Sequence, residues 1–152
     1  MIGREPKTEN DLFFVCSVIE HIGRATNNRR SDVVAALGKD VISKYIELAD
    51  IYHCEPIENT ALDLIEKHGI ANGGYDNTTL DFAVPSVFDI AKVVKRLIVS
   101  VAESNSTTLV DSLVEIYSSW IIDKINDYSC SMYYENPEYL YMSYLEGEPL
   151  KD

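Results

Sequence analysis

The run Leu12-Phe13-Phe14-Val15-Cys16-Ser17-Val18-Ile19-Glu20-His21-Ile22 decides the fold class. Leu12, Val15, Ile19 and Ile22 recur at the three-and-four spacing of a helix, and Phe13, Phe14 and Val18 widen the apolar stripe. The pattern predicts a helix from about Glu9 to Ala25. Thr8 and Asp11 resemble a capping box at its start, with Asp in place of the usual Glu. Asn27-Asn28-Arg29-Arg30 then breaks the periodicity with turn-forming and basic residues.

Outward from that run the same signature repeats. Ser31 is a good N-cap for a short helix through Val33, Val34 and Leu37, closed by Gly38. A longer helix is expected from about Asp40 to His53, and another from Pro56 through Ala61, Leu64 and Ile65 to His68-Gly69. The stretch Ala71-Asn72-Gly73-Gly74-Tyr75-Asp76-Asn77 reads as a flexible connection, and Leu80 to Val84 before Pro85 as extended at most. A long helix follows from about Ser86 through Val101. Thr107 or Thr108 caps the next, which carries Leu109, Leu113, Ile116, Trp120, Ile121 and Ile125. Pro137 can open a last short helix in the tail. The expected class is all-α, a single helical bundle of about six or seven helices.

Residues 12–52 laid over 88–128 need no gap and give six identical pairs: Val18/Val94, Ile22/Ile98, Val34/Val110, Leu37/Leu113, Ile46/Ile122 and Tyr52/Tyr128. The layout matches too: amphipathic helix, polar turn, hydroxyl cap, second helical stretch ending at tyrosine. We therefore expect two related halves, 8–70 and 86–146, joined by the Gly/Asn-rich connection 71–85 and packed around a shared core.

The chain has 152 residues, 46% of them hydrophobic and 25% charged, which suits one globular domain rather than a disordered segment. Its 13 basic and 25 acidic residues leave a net charge of −12. Such a field repels a polyanion and an anionic lipid surface alike, so neither direct nucleic-acid binding nor membrane binding is expected. The polar start Met1 to Lys7 carries no signal-peptide core, and the three cysteines, at 16, 54 and 130, are odd in number and widely spaced. Both features predict a reducing cytoplasm.

No assembled chemistry stands out. His21, His53 and His68 make no zinc spacing with each other or with a cysteine, and consecutive His53-Cys54-Glu55 is a poor ligand set for one ion. Gly73-Gly74 lacks the lysine and hydroxyl of a phosphate-cradling loop. No cofactor and no metal are expected. An enzyme would need a site assembled from distant residues, for instance His53 with Cys54 or Cys130.

Charge is uneven along the chain. Residues 1–96 carry 11 basic and 15 acidic residues, whereas residues 97–152 carry 2 and 10. That last third also holds seven of the ten tyrosines. Acid interleaved with tyrosine suits a protein interface, since tyrosine offers rigid contact area and carboxylates steer a basic partner. The candidate partner-binding residues are Tyr133, Tyr134, Glu135, Glu138, Tyr139 and Tyr141, with Arg29 and Arg30 as a basic turn that could hold a partner carboxylate. The plain alternatives are that the tyrosines staple the tail to the domain and that the arginines are a solvated turn.

The stretches Leu12 to Glu20, Ser31 to Leu37 and Ala49 to His53, with Asp127-Tyr128 and Tyr133 to Tyr139, resemble a family of small helical bacterial domains, mostly from Firmicutes, often encoded beside ADP-ribosyltransferase-like toxin genes. The resemblance implies an antitoxin-like or operon-partner role and transfers no catalytic residue. The expected function is thus a non-enzymatic acidic module that neutralises or escorts a basic protein partner; self-association is left open. The alternatives are an acidic nucleic-acid-mimicking inhibitor of a host or phage enzyme, and an enzyme with a dispersed site.

Overall fold

The computed structural model of the chain describes residues 7–150, so Met1 to Pro6, read above as free of a signal-peptide core, lie outside them. Among the described residues 69% are helical and none is in a strand. The helices are α1 (Lys7–Thr26), α2 (Arg30–Leu37), α3 (Lys39–Glu47), α4 (Ala49–Tyr52), α5 (Ile57–His68), α6 (Val87–Asn105), α7 (Leu109–Tyr117), α8 (Trp120–Ile125) and α9 (Pro137–Glu146), with a single 3-10 turn, Met132–Tyr134, before α9. No helix among the described residues is long and apolar enough to cross a membrane.

α1 is the axis of the bundle. It packs against α6 on one side, α5 on another, and α2, α3 and α4 along its remaining length. The residues that predicted it, Leu12, Val15, Ile19 and Ile22, are all buried, and Val94, Ile98 and Val101 of α6 close over the same core. α7 and α9 cover the outer face of α6, and the Ser112 hydroxyl of α7 donates to the Ile98 carbonyl of α6 at 2.8 Å.

Helix starts follow local chemistry where the cap faces solvent. Ser86 and Asp89 form a reciprocal capping box on α6, Thr108 accepts from the Asp111 amide on α7, and Asn136 accepts from the Tyr139 amide on α9 ahead of Pro137. Four of the expected helix bounds change. Thr8 lies within α1 instead of capping it, and Asp11 is buried, accepting from Lys7 Nζ at 2.8 Å. Ser31 lies inside α2, whose N-cap is Arg29, because the chain turns early at Asn27 (φ 55) to carry Arg30 into the core. The stretch 40–53 is two helices, parted at Leu48, and the stretch after Thr108 is also two, parted at Ser118-Ser119.

The connection 71–85 is pinned. The Gly73 amide donates to the Thr26 carbonyl at 2.8 Å, the Tyr75 amide to the Asn27 carbonyl at 2.7 Å, and Asn28 Nδ2 to the Ala71 carbonyl at 2.8 Å. Gly73 has to be glycine here, since a Cβ would sit 2.2 Å from Asn28 Oδ1 and 2.8 Å from the Asn27 carbonyl. Further on, Asn77 Nδ2 donates to the Asn126 carbonyl at 3.1 Å. The glycines and asparagines that suggested freedom instead permit close backbone approach.

Candidate functional site

Two polar clusters and one groove are the sites to weigh. In the core, Arg30 and Glu20 are each 1% exposed. Arg30 Nε donates to Glu20 Oε1 at 3.1 Å and Nη1 to the Asn28 carbonyl at 2.9 Å. The Tyr117 hydroxyl donates to Glu20 Oε2 at 2.8 Å, so α7 is tied to α1 through a carboxylate that also holds α2. Burial holds the Tyr117 phenol well above its ordinary ionisation range, and the Glu20 carboxylate adds to the effect. Cys16 is pushed up for the same two reasons, burial first and Glu20 second. Arg30 therefore cannot meet a partner's carboxylate. Its guanidinium is consumed by the fold.

Arg29 is exposed, but it is engaged at the 71–85 strap. It pairs with Asp123 at 3.3 Å and lies over the Tyr75 ring, 5.6 Å from its centre. Nearby, Arg24 Nη2 donates to the Pro85 carbonyl at 2.8 Å and to the Tyr128 hydroxyl at 3.0 Å, clipping the end of the strap to the loop after α8. These arginines close the bundle where its two runs of helices meet.

The tyrosine-rich tail mostly stitches itself down. Tyr133 packs edge-on against both Tyr128 and Tyr134, and burial raises its phenol. The Tyr139 hydroxyl donates to the Leu150 carbonyl at 3.0 Å, and Tyr144 donates to Glu115 at 2.6 Å. Tyr141 is half-buried against the core, and Glu135 is half-buried as well. Tyr134, 60% exposed, and Glu138 are the expected residues of the tail that lie exposed at the surface.

A further concave feature lies on α1 itself. A groove of about 1170 Å³ opens over the N-terminal half of α1, between the end of α4 and the starts of α5 and α6. Asn10, Phe13, Phe14 and Ser17 form its floor, Phe88 and Ile57 its apolar walls. Phe13 and Phe88 face each other at 6.4 Å between ring centres, and Phe14 meets the His53 ring edge-on at 6.4 Å. Phe88 is 48% exposed.

The rim is acidic. One lysine, Lys7, stands among four carboxylates: Asp11, Asp50, Glu55 and Glu58. Lys7 is occupied by two of them, Asp11 at 2.8 Å and Asp50 at 3.1 Å, and those bonds raise its ammonium above the ordinary value. Among the described residues, Glu55 and Glu58 are in no ion pair.

The thiols lie apart from this groove. Cys54 Sγ donates to the Asp50 carbonyl at 3.4 Å and does not line the groove, whereas Cys130 donates to the Lys124 carbonyl beyond α8. Among the described residues no three His, Cys, Asp or Glu side chains are placed to hold a metal ion.

Sequence reasoning missed the groove, although its signal was present. Phe13 and Phe14 widened the stripe of α1 beyond what one buried face requires. The acids at the rim come from α1, α4, α5 and the loop between α4 and α5, and nothing in their spacing brings them together. No protein family matches this chain, and no curated protein or solved structure matches it either.

Proposed function

We propose that this chain is a non-enzymatic binding module for a basic protein partner, and that the groove over Phe13, Phe14 and Phe88 is the face that holds it. One observation carries the reading: a large aromatic-floored groove whose rim carries Glu55 and Glu58, which are in no ion pair among the described residues. Apolar floor with polar rim is the anatomy of a protein interface, with aromatic anchors at its centre. The net charge of −12 adds long-range steering toward a positive partner. Aromatic shape favours a protein occupant over mimicry of a nucleic acid, for which an array of carboxylates would be needed. Neutralisation or escort of a toxin encoded beside it is the form that the resemblance to toxin-adjacent domains implies.

Co-expression of the chain with the products of its neighbouring genes tests this. A basic neighbour should co-purify with the wild type and be lost with Phe88→Ala, while far-UV circular dichroism stays unchanged. Equal retention by the variant would move the binding face elsewhere. Failure of every neighbour to co-purify would count against the reading as a whole.

A further inference from the structure

The floor of the groove says what shape fits it. Asn10, Phe13, Phe14 and Ser17 stand at i, i+3, i+4 and i+7 on α1, the row that one helix presents to another when they pack. α1 uses its other faces against α5 and α6; on this row Asn10 is exposed, and Phe13 and Phe14 are half-buried beside Phe88 and His53. Ser17 is buried at the base of the row, and its hydroxyl already donates to the Phe13 carbonyl at 2.8 Å, so it presents no unmet polar group. The described residues include no strand, so an extended segment would find no sheet edge to pair with.

Resting on the binding reading above, we infer that the occupant is an amphipathic basic α-helix of the partner, which lies along α1 between α5 and α6. The row from Asn10 to Ser17 runs about 10 Å at 1.5 Å per residue, two helical turns, which sets the length of the anchored segment. The apolar face of that helix carries Leu or aromatic residues at i, i+3 or i+4, and i+7, seated against Phe13 and Phe88. Its Lys or Arg residues lie toward Glu55 and Glu58, which Lys7 does not contact and which are in no ion pair among the described residues. A pocket for an extended peptide or for a second copy of this chain would not need this register.

Fluorescence anisotropy with three labelled peptides tests the inference on the full chain. The first is a 14-residue Leu/Lys peptide with leucines at helical spacing, the second the same composition with a central proline, the third with every Lys replaced by Glu. The helical Leu/Lys peptide should bind at least about tenfold more tightly than the proline version, and the Glu version should not bind. Phe88→Ala should weaken it about tenfold, and Glu55→Gln with Glu58→Gln should weaken it severalfold, more at low salt. Equal binding of the helical and proline peptides, both lost in Phe88→Ala, overturns the helix and keeps the basic-partner reading. Binding of neither, or binding indifferent to Phe88→Ala, overturns both. A concentration-dependent dimer in sedimentation that Phe88→Ala abolishes would give the groove to a second copy and refute the inference.

Discussion

Replacing Glu20 by alanine removes a buried carboxylate that ties α2 and α7 to α1. Its Oε1 holds Arg30 at 3.1 Å and its Oε2 holds the Tyr117 hydroxyl at 2.8 Å. The side chains of the pair are 0% and 1% exposed, so water cannot take over either bond. At that separation, with an effective dielectric of about 20, the charge attraction is about 5 kcal/mol. Breaking a buried pair from one side typically costs about 3–5 kcal/mol, because the remaining charge stays buried and uncompensated. The abandoned Tyr117 hydroxyl adds to that, within about 1–3 kcal/mol. Against a domain stability of about 5–15 kcal/mol, Glu20→Ala should leave a marginally folded protein.

Urea titration followed by circular dichroism measures this, with Glu20→Leu/Arg30→Met/Tyr117→Phe as the companion. The single variant should lose at least about 3 kcal/mol. The triple variant should recover much of the loss, since apolar replacement of a whole buried ionic cluster is often neutral or better. One feature favours recovery: Arg30 Nη2 is buried without a hydrogen-bond partner among the described residues, so the cluster is imperfectly satisfied as it stands. A loss under about 1 kcal/mol in Glu20→Ala, or a triple variant worse than the single one, would refute the reasoning.

Gly23→Ala tests the same cluster sterically, because a Cβ there would meet Arg30 Cδ at 2.3 Å and Nε at 2.6 Å; buried as it is, Arg30 cannot swing aside, and chemical denaturation should show a loss of about 1–3 kcal/mol. High pH should destabilise the fold. Cys16 and Tyr117 stay protonated in the folded core past their ordinary values of 9.0 and 10.0, whereas the unfolded chain releases both protons there, so the folded state binds more protons and stability falls as pH rises above about 9. Thermal midpoints at pH 7 and pH 10.5 should show this fall, with a smaller drop in Cys16→Ala. Residues 1–85 expressed alone should show no cooperative unfolding transition, because α6 and α7 supply the cover over Ile19, Ile22 and the Glu20 carboxylate.

Fold class was legible because helical periodicity is a local property. Leu12, Val15, Ile19 and Ile22 announce α1 without any knowledge of its neighbours, and the solvent-facing caps at Ser86, Thr108 and Asn136 act through backbone amides three residues away. Ser31 failed as a cap for a tertiary reason. Ten residues separate Glu20 from Arg30, and the burial of that pair brings the helix start forward. The strap misled in the other direction: glycine and asparagine encode both freedom and close approach, and only the carbonyls of Thr26 and Asn27 distinguish them. The tail's tyrosines were visible as a surface candidate, but partners such as Leu150 and Glu115 are set by the docking of α9. The groove was half legible, in the surplus aromatics of α1; its acidic rim was not.

Site-specific photo-cross-linking distinguishes the α1 groove from the tyrosine-rich tail as the partner face. Phe88→benzoylphenylalanine keeps an aromatic ring in the groove wall, and Tyr134→benzoylphenylalanine places the same probe on the most exposed tyrosine of the tail. In cells that carry the native neighbouring genes, irradiation should join a basic protein to the position 88 probe and leave the position 134 probe uncoupled. Coupling from position 134 with none from position 88 would contradict the account.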